Sequence, residues 1–569
     1  MTETTHKNFE RWMNSPNVSD EDKNILKSMS DAEIDDAFFQ DIAFGTAGMR
    51  GILGPGTNRM NLFTVRKATV GFGKYLLKKY TGKVSCAISH DNRYMSREFT
   101  LESARILNEM GIDTYIFDSL RPTPELSFAV RVQKCSGGIM ITASHNPKED
   151  NGYKVYDEEG CQLVPSKIKD LIEIIGTLGD ELNVKIPTAK IRGKNNVFDK
   201  DIDDLYVTLC ESVQVNPDLD KKDFKIVYTP NHGTSYVNAM RVFKDCGYDV
   251  HPVLSQCNPD PAFSGTKSPN PENAVSYEEP IKLAKQIDAD LICMTDPDGD
   301  RVGLACKNRK GEYVLLTGNE SAAILLDYII SERKAKGNLP KDPVVYNTVV
   351  SSMLGKEICD NYGVKCESFL TGFKYIGDRI HYYEVNGGPT FIFGYEESYG
   401  CLIKPFVRDK DGIQAILLYC EMALWYKKHG LTLDEAYLKL GEKYGQHKAK
   451  LYNIYFKGSE GQSEMKAIMD ELEKHPITLL LDNKVKVIEN YFKLKRFNLD
   501  TKETSTIENL PTGDLIKFIF EDGSNICVRP SGTEPKCKFY IEVIDKNLET
   551  AEKRCDAYYK ALTSLLKIK

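Results

Sequence analysis

The chain has 569 residues, and its 75 lysines and arginines stand against 82 aspartates and glutamates, a formal net charge of −7. This acidic balance argues against nucleic-acid binding as the main function, and the length predicts about three to five domains. The fifteen cysteines include no CxxC pair, so neither a disulfide framework nor a zinc ribbon is expected. No signal segment and no run of about 18 apolar residues is present, so we expect a soluble, cytoplasmic protein without membrane or nucleic-acid partners.

Three segments repeat one pattern of strand, turn, helix and strand: residues 83–117, 224–253 and 343–369. A unit of about 30 residues with this pattern is typical of parallel or mixed α/β layers. The repeats therefore predict three related α/β domains, although a single α/β fold with incidental resemblance among its units fits the same pattern. From about residue 446 the chain has short apolar strands followed by a helical stretch, which predicts a differently built α+β domain.

Ligands of open α/β sheets bind beyond the carboxyl ends of strands, and the first polar cluster in such a place is "TASHNP". Ser144 next to His145 suggests a nucleophile and its base. Neighbouring side chains of an extended segment point to opposite sides, however, so we expect this pair not to meet, and no GxSxG elbow surrounds it. An ordinary turn rich in Asn and Pro is the alternative interpretation.

The second cluster, "TDPDGDRVG", places three aspartates, Asp296, Asp298 and Asp300, directly after an apolar strand. Three carboxylates so close repel one another unless a cation lies among them. An EF-hand is excluded because Gly299 precedes the third carboxylate instead of following it. Few carboxylates with room for water or phosphate oxygen suit Mg²⁺, and a plain surface turn is the alternative.

Two further clusters suit a phosphorylated sugar. "GYEESYG" brings Glu396, Glu397 and Ser398 together after a strand, and paired carboxylates with a hydroxyl can accept hydrogen bonds from sugar hydroxyls. "RPSGTEPK" gathers a guanidinium, hydroxyls, a lysine and glycine-freed amides, which together suit a phosphate dianion. The residues of this second cluster are Arg529, Ser531, Gly532, Thr533 and Lys536.

The four motifs "TASHNP", "DPDGDR", "GYEES" and "RPSGTEP", in this order, resemble the signature loops of the α-D-phosphohexomutase superfamily, the phosphoglucomutases and phosphomannomutases. Residues 41–61 resemble the opening segment of its longer subgroup, which includes phosphopentomutase-like enzymes. The resemblance implies three similar α/β domains with mixed sheets and a C-terminal α+β domain around a central cleft. The predicted domains are 1–212 with the serine loop, 213–325 with the metal loop, 326–445 with the sugar loop and 446–569 with the phosphate loop.

The resemblance also implies the reaction, an interconversion of glucose 1-phosphate and glucose 6-phosphate through a phosphoserine at Ser144. The phosphoryl group would pass to the substrate, and the resulting hexose 1,6-bisphosphate would reorient and rephosphorylate the serine. Mg²⁺ would be held by the three aspartates and the Ser144 phosphate. Glucose 1,6-bisphosphate is thus expected as activator and intermediate.

Further roles follow from the same resemblance. Lys410 in "RDKDG" would be the general acid or base if nearby arginines depress its pKa, and Arg50 would stabilise the transferring charge. His145 would shape the loop or contact phosphate. The expected substrate-binding residues are Arg301, Gly372, Phe373, Lys374, Glu396 and Ser398. The expected phosphate-binding residues are Arg529, Ser531, Gly532, Thr533 and Lys536.

The sequence leaves several alternatives open. Phosphomannomutase and phosphopentomutase activities use the same mechanism, and the sugars differ by contacts worth only about 1–3 kcal/mol. A non-catalytic phosphoserine scaffold and a phosphatase are the competing classes. Both a monomer and a homodimer are compatible with the sequence.

Overall fold

The computed structural model describes residues 2–45, 48–456, 460–530 and 536–567. The α-helices are α1 Glu3–Asn14, α2 Asp20–Ser28, α3 Asp31–Phe38, α4 Leu62–Lys79, α5 Ser96–Glu109, α6 Thr123–Val132, α7 Pro165–Gly176, α8 Lys200–Glu211, α9 Tyr236–Asp245, α10 Glu278–Ile287, α11 Gly318–Ala335, α12 Leu354–Tyr362, α13 Lys374–Asn386, α14 Gly412–Lys428, α15 Leu433–Tyr444, α16 Glu460–Lys474 and α17 Leu548–Leu565. Short 3₁₀ helices span Glu181–Asn183, Leu254–Gln256 and Ala274–Tyr277.

The strands are β1 Met49–Ile52, β2 Ser85–His90, β3 Asp113–Ile116, β4 Gly137–Ile141, β5 Asp150–Tyr156, β6 Asn195–Val197, β7 Lys225–Thr229, β8 Asp249–Pro252, β9 Leu291–Thr295, β10 Val302–Lys307, β11 Tyr313–Leu316, β12 Pro343–Thr348, β13 Lys365–Phe369, β14 Thr390–Tyr395, β15 Cys401–Leu402, β16 Gln446–Tyr455, β17 Leu479–Leu480, β18 Asn483–Asn490, β19 Lys495–Asn498, β20 Thr504–Thr506, β21 Ile516–Phe520, β22 Asn525–Pro530 and β23 Lys536–Asp545. The chain divides into two compact units, Met1–Gly318 with Phe373–His429 and Asn319–Gly372 with Gly430–Lys569. The four predicted domain boundaries stay a prediction.

The first unit contains two mixed sheets. One has the strand order β1-β5-β4-β2-β3-β6, and the other has the order β11-β10-β9-β7-β8. In the first sheet Ile139 and Ile141 of β4 join the core beneath α4, whereas Met140 between them joins the core beneath α6. Because side chains alternate across a strand, a continuous apolar run is buried on both faces by two helix layers. This is the α/β layering that the repeats predict.

Each of the three predicted repeats is a strand, helix and parallel strand. β2 pairs in parallel with β3 across α5, β7 with β8 across α9, and β12 with β13 across α12. Gly363 closes α12 at a φ of 71°, a left-handed conformation that glycine adopts without a Cβ penalty. The prediction of three α/β domains is confirmed.

The second unit ends in an antiparallel sheet with the order β16-β23-β22-β21-β18-β19-β20, and β17 pairs with β18. The helices α16 and α17 share its hydrophobic core, in which Leu472 and Leu562 pack with Phe518 and Phe539. The predicted α+β character of the C-terminal domain is confirmed. None of the helices in the described ranges combines the length and apolar character that crossing a membrane requires.

His447 is a buried ionisable group of the second unit. Its Nδ1 lies 2.9 Å from Glu542 and its Nε2 lies 3.3 Å from the partly exposed Glu357. Burial alone would lower the pKa of His447, but the two carboxylates raise it to about 9. Protonated His447 therefore binds both carboxylates and stabilises the folded state.

We expect the stability of the second unit to fall between pH 6.5 and about pH 9. The folded pKa lies above the ordinary value, so the stabilisation is complete below pH 6.5 and is lost as the pH rises through about 9. The loss is on the order of 2 kcal/mol, since the exposed side of Glu357 is screened by solvent. Calorimetry of wild type and His447→Gln across this range measures it, with exposed His475→Gln as the matched control. An equally steep decline in His447→Gln would contradict the assignment.

Candidate active site

Ser144 lies in the serine loop, residues 142–150, which follows β4. Its side chain is buried, and its hydroxyl donates a hydrogen bond of 2.8 Å to Asp296 Oδ2. Its backbone has a φ of 53°, and its N–H donates to Thr142 Oγ1 at 2.8 Å. A left-handed non-glycine residue costs about 1–2 kcal/mol, so the surrounding contacts have to hold this conformation.

His145 departs from the sequence prediction. The expectation that Ser144 and His145 point apart is wrong, since Ser144 Oγ lies 3.2 Å from His145 Nδ1. The physical reason is the positive φ of Ser144, because the segment is then not extended and neighbouring side chains can converge. With the single hydroxyl proton directed at Asp296, His145 Nδ1 acts as the donor to Ser144. Burial and the charges of Arg301 and Arg50 lower the pKa of His145 well below its usual value.

The three aspartates of the metal loop, residues 296–301, form a compact and fully buried cluster. One carboxylate oxygen from each of Asp296, Asp298 and Asp300 lies within 4.8 Å of the others. The Asp296 Oδ1 atom accepts the backbone N–H groups of Asp300 and Arg301 at 3.1 and 3.0 Å, which fixes that side chain. The Oδ1 atoms of Asp298 and Asp300 are buried without a hydrogen-bond partner. Buried, unsatisfied carboxylate oxygens at this spacing fit a small, hard divalent cation such as Mg²⁺.

The charges of the cluster act differently on its members. Burial and the neighbouring carboxylates raise the pKa of Asp296 well above its usual value. Burial would also raise the pKa of Asp298, but Lys154, the hydrogen bond with Asp296 and Lys410 together lower that pKa. A cation among the three side chains would favour the ionised form of each.

Lys154 is a candidate site residue that the sequence interpretation missed. Its Nζ lies 2.9 Å from Asp298 Oδ2 and 3.9 Å from Asp300 Oδ2. Lys154 lies within β5, and its flanking residues Tyr153 and Val155 are fully buried. A lysine in an otherwise buried strand has to meet a carboxylate, so this pattern was the available signal.

The turn after β7 holds the metal loop through hydrogen bonds. Thr234 donates its backbone N–H to Pro297 O at 2.8 Å, and Asn231 Nδ2 donates to Thr295 O at 3.0 Å. A Cβ on Gly233 would lie 2.4 Å from the Pro297 backbone, so no larger residue fits there without movement. In the sequence this turn stands out only as part of a repeat.

Lys410 lies beside the triad, as its predicted role requires, but its electrostatics differ from the expectation. Its Nζ lies 3.1 Å from Asp300 Oδ2 and 3.1 Å from Asp409 Oδ1. Burial alone would lower the pKa of Lys410, but Asp300, Asp409 and Glu396 raise it. The prediction of a pKa depressed by arginines is wrong because these carboxylates outweigh Arg301, which is the opposing charge.

The Lys410 side chain occupies the space that a side chain at Gly400 would fill. A Cβ at this position would lie 2.0 Å from the Lys410 Cδ atom. Two backbone hydrogen bonds join this region to its neighbours, from Val302 N–H to Tyr399 O and from Asp411 N–H to Cys401 O, each at 2.9 Å. The metal loop, the sugar loop at residues 396–400 and Lys410 are thereby linked within the first unit.

The predicted sugar-binding residues have different environments. Glu396 is buried after β14, and its charge acts on Lys410 and Arg301. The Arg301 Nη1 atom contacts Glu272 at 2.7 Å. Ser398 is half-buried in the sugar loop.

Along the chain, the predicted loop before α13 spans the point where a segment of the second unit ends and a segment of the first unit begins. Gly372 has a φ of 122° and ends a segment of the second unit. Phe373, in the first unit, is buried, and Lys410 Nζ lies 5.8 Å from the centre of its ring. Lys374 begins α13 with its Nζ 5.5 Å from the centre of the Tyr375 ring.

Arg50 and the phosphate loop complete the predicted set. Arg50 is exposed in β1, where it pairs with Gly152, and it donates to Asn146 Oδ1 of the serine loop at 3.1 Å. Arg529 lies in the second unit's β22, one residue before the strand ends, and Lys536 begins β23 with its Nζ 5.7 Å from the centre of the Tyr455 ring. The predicted residues Ser531, Gly532 and Thr533 lie outside the described residues.

Comparison with known structures identifies the fold. Parafusin (phosphoglucomutase) from Paramecium, in its open form, superposes with a TM-score of 0.66 at 19% identity, covering 92% of this chain and 94% of that one. A phosphoglucomutase/phosphomannomutase family protein from Burkholderia thailandensis gives 0.65 at 17% identity, covering 92% and 97%. At these identities the likeness concerns the fold alone.

Sequence comparison identifies the family. The phosphoglucomutases of Staphylococcus haemolyticus and Staphylococcus aureus strain USA300 are 36% and 35% identical, covering 93% and 94% of this chain and 96% and 95% of theirs. Family models of phosphoglucomutase/phosphomannomutase match in order: alpha/beta/alpha domains I, II and III and the C-terminal domain match residues 41–181, 204–311, 317–444 and 462–554. The chain therefore belongs to the phosphoglucomutase/phosphomannomutase family.

Proposed function

We propose that the chain is a phosphoglucomutase, an isomerase that interconverts glucose 1-phosphate and glucose 6-phosphate through a phosphoserine at Ser144. The observation that carries this proposal is the 2.8 Å hydrogen bond from the Ser144 hydroxyl to Asp296 of the buried carboxylate triad. A hydroxyl held against a cluster suited to Mg²⁺ supports phosphoryl transfer as the reaction. The two staphylococcal relatives, both named phosphoglucomutase, support the choice of sugar.

In the proposed reaction the bond between the phosphorus and Ser144 Oγ breaks as a bond forms to a hydroxyl oxygen of the substrate. The substrate hydroxyl loses its proton, and Ser144 Oγ gains one. The bisphosphate then presents its other phosphate, and the reverse transfer restores the phosphoserine. No phosphate is released to water in this cycle.

The protein's own cations lie where negative charge would collect. Lys154 reaches the triad from strand β5, at 2.9 Å from Asp298, and Lys410 reaches it from the loop before α14, at 3.1 Å from Asp300. We propose that both hold the reacting phosphoryl group, and that Lys410, which the neighbouring carboxylates keep protonated by raising its pKa, serves as a proton donor and not as the base. Arg50, within 3.1 Å of Asn146 in the serine loop, would stabilise the transferring charge.

The metal would be held by Asp296, Asp298 and Asp300 together with a phosphate oxygen on Ser144. When bound, Mg²⁺ supplies a Lewis acid that polarises phosphorus–oxygen bonds and neutralises charge. The chain's contribution is to bury the three carboxylates and to fix Asp296 through two backbone N–H groups.

The remaining predicted residues complete the proposal. Glu396 and Ser398 would bind ring hydroxyls that both poses of the bisphosphate share. Arg301 and the loop of Gly372, Phe373 and Lys374 are the further proposed substrate contacts. The proposed phosphate-binding residues are Arg529, Ser531, Gly532, Thr533 and Lys536.

One assay tests the proposal. Purified protein is incubated with Mg²⁺, a trace of glucose 1,6-bisphosphate and glucose 1-phosphate. We expect glucose 6-phosphate to form without stoichiometric inorganic phosphate. Parallel reactions with mannose 1-phosphate and ribose 1-phosphate compare the sugars, and we expect glucose to give the highest kcat/KM. Release of phosphate alone would identify a phosphatase, and faster turnover of another sugar would reassign the substrate.

A further inference from the structure

We propose that Arg93 is the positioning residue of the serine loop, and that it holds Ser144 in the geometry required for phosphoryl transfer. This inference rests on the proposed function. Arg93 lies in the turn after β2, 51 residues before Ser144, and its side chain is fully buried. It makes no hydrogen bond to the metal-binding carboxylates, so it would act through the loop alone.

The Arg93 guanidinium donates hydrogen bonds to four backbone carbonyl oxygens of the serine loop. Its Nη2 donates to the carbonyl oxygens of Ser144 at 2.7 Å and Asn146 at 2.6 Å. Its Nη1 donates to those of Pro147 at 2.6 Å and Asp150 at 3.0 Å. One planar group with five N–H donors thus binds both ends of the loop in fixed directions.

Arg93 is itself held rigidly. Its Nε lies 3.1 Å from Asp91 Oδ2, and both side chains are inaccessible to solvent. Asp91 Oδ1 accepts the Ser96 hydroxyl at 2.7 Å, and the Phe263 ring covers the guanidinium at 5.2 Å. Because neither partner can move without losing buried contacts, the four carbonyl positions are set by a rigid support.

Two features of the loop make this support necessary for function. Four carbonyl oxygens converging in a buried space repel one another unless a cation lies between them. The strained φ of 53° at Ser144 also has to be maintained when the hydroxyl becomes a phosphate ester. A buried, fixed guanidinium meets both requirements. Its positive charge offsets the repulsion among the carbonyl oxygens, and its hydrogen bond to the Ser144 carbonyl oxygen holds the backbone of Ser144 in place.

The same support reaches the metal loop. Asn92 Nδ2 donates to Asp260 O at 2.8 Å, close in sequence to Phe263, and Glu272 in the same connection binds Arg301 at 2.7 Å. The connection between β8 and α10 therefore touches the serine loop through Arg93 and the metal loop through Arg301. Arg93 thereby sets the serine loop against the aspartates.

The test compares Arg93→Lys and Arg93→Met with Arg97→Met, four residues further along the chain in α5. Arg97 contacts the carbonyl oxygens of Phe117 and Asp118 outside the site, so its variant should keep wild-type activity. Lysine retains the charge beside Asp91 but cannot bind four carbonyls at once. We expect kcat of Arg93→Lys to fall about 100-fold, the effect of a misplacement of about 1 Å, with KM for glucose 1-phosphate little changed. Arg93→Met should lose at least as much.

Hydrogen exchange gives a readout that does not depend on activity. The Asn146 and Asp150 amides bond to carbonyls within the loop at 3.1 Å, and their exchange should accelerate in Arg93→Lys while β4 stays protected. Unchanged exchange in the loop, a kcat equal to wild type, or a kcat loss that only follows a lost folded fraction would overturn the inference. If wild type forms no glucose 6-phosphate, the proposed function fails, and the exchange comparison still decides the role of Arg93.

Discussion

Replacing Ser144 by alanine is expected to lower turnover of glucose 1-phosphate by about 10⁴-fold or more, because the group that carries the phosphoryl between substrates is lost. Intact-protein mass after incubation with glucose 1,6-bisphosphate should show one phosphoryl group on wild type and none on the variant. The fold should persist, since alanine removes one hydroxyl and leaves the serine-loop carbonyls on Arg93.

Ser103→Ala is the matched control for that experiment. Ser103 is also a buried serine, and its hydroxyl lies 3.1 Å from Thr69 Oγ1 within the core beneath α4 and α5. It should keep both turnover and phosphorylation. Near-normal activity of Ser144→Ala, or a phosphoryl group that persists on it, would exclude Ser144 as the carrier.

The predictions made from the sequence hold where the chemistry is local in the chain. The spacing of Asp296, Asp298 and Asp300 after a buried strand was enough to predict their clustering, and oxygens of all three lie within 4.8 Å of one another. Polar residues after apolar runs predicted that Ser144, Asp296 and Glu396 follow strands, and these residues do follow β4, β9 and β14. In each case the signal and the structure involve the same few residues.

The predictions made from the sequence failed where the geometry depends on residues far apart in the chain. Lys154 reaches Asp298 across 144 positions and Arg93 reaches Ser144 across 51, and no local pattern identifies such partners. The orientation of His145 was missed because the left-handed φ of Ser144 is maintained by tertiary contacts and not by its own preference. The pKa direction of Lys410 likewise depends on carboxylates from three separate segments of the chain.

The buried triad has a consequence for stability. Three buried carboxylates within 4.8 Å repel one another, and Lys154 and Lys410 compensate only part of their charge. The fold therefore carries an unfavourable interaction that a bound divalent cation would relieve. Residues that carry such a cost are typical of functional sites.

Replacing Asp296 by asparagine is expected to separate stability from activity. Asparagine has the same shape, and its Oδ1 can still accept the N–H groups of Asp300 and Arg301 while its Nδ2 faces Ser144. Without metal, in EDTA, the variant should melt at the same temperature as wild type or higher, because one buried negative charge is gone. Turnover should fall on the order of 10³-fold, since Mg²⁺ loses a ligand beside the reacting hydroxyl.

Thermal unfolding with and without Mg²⁺ measures directly how much the bound metal stabilises the folded state. A ligand at 100 times its Kd stabilises the state that binds it by about 2.7 kcal/mol, so wild type should melt several degrees higher in saturating Mg²⁺. Asp296→Asn should lose most of this increase, whereas Asp288→Asn, the same chemical change on an exposed side chain that pairs with Lys307, should keep it. An Asp296→Asn protein that Mg²⁺ stabilises as much as wild type would place the cation elsewhere. Lower stability of the variant in EDTA would instead mean that Asp296 is held by favourable contacts and that the triad stores no repulsion for the metal to relieve.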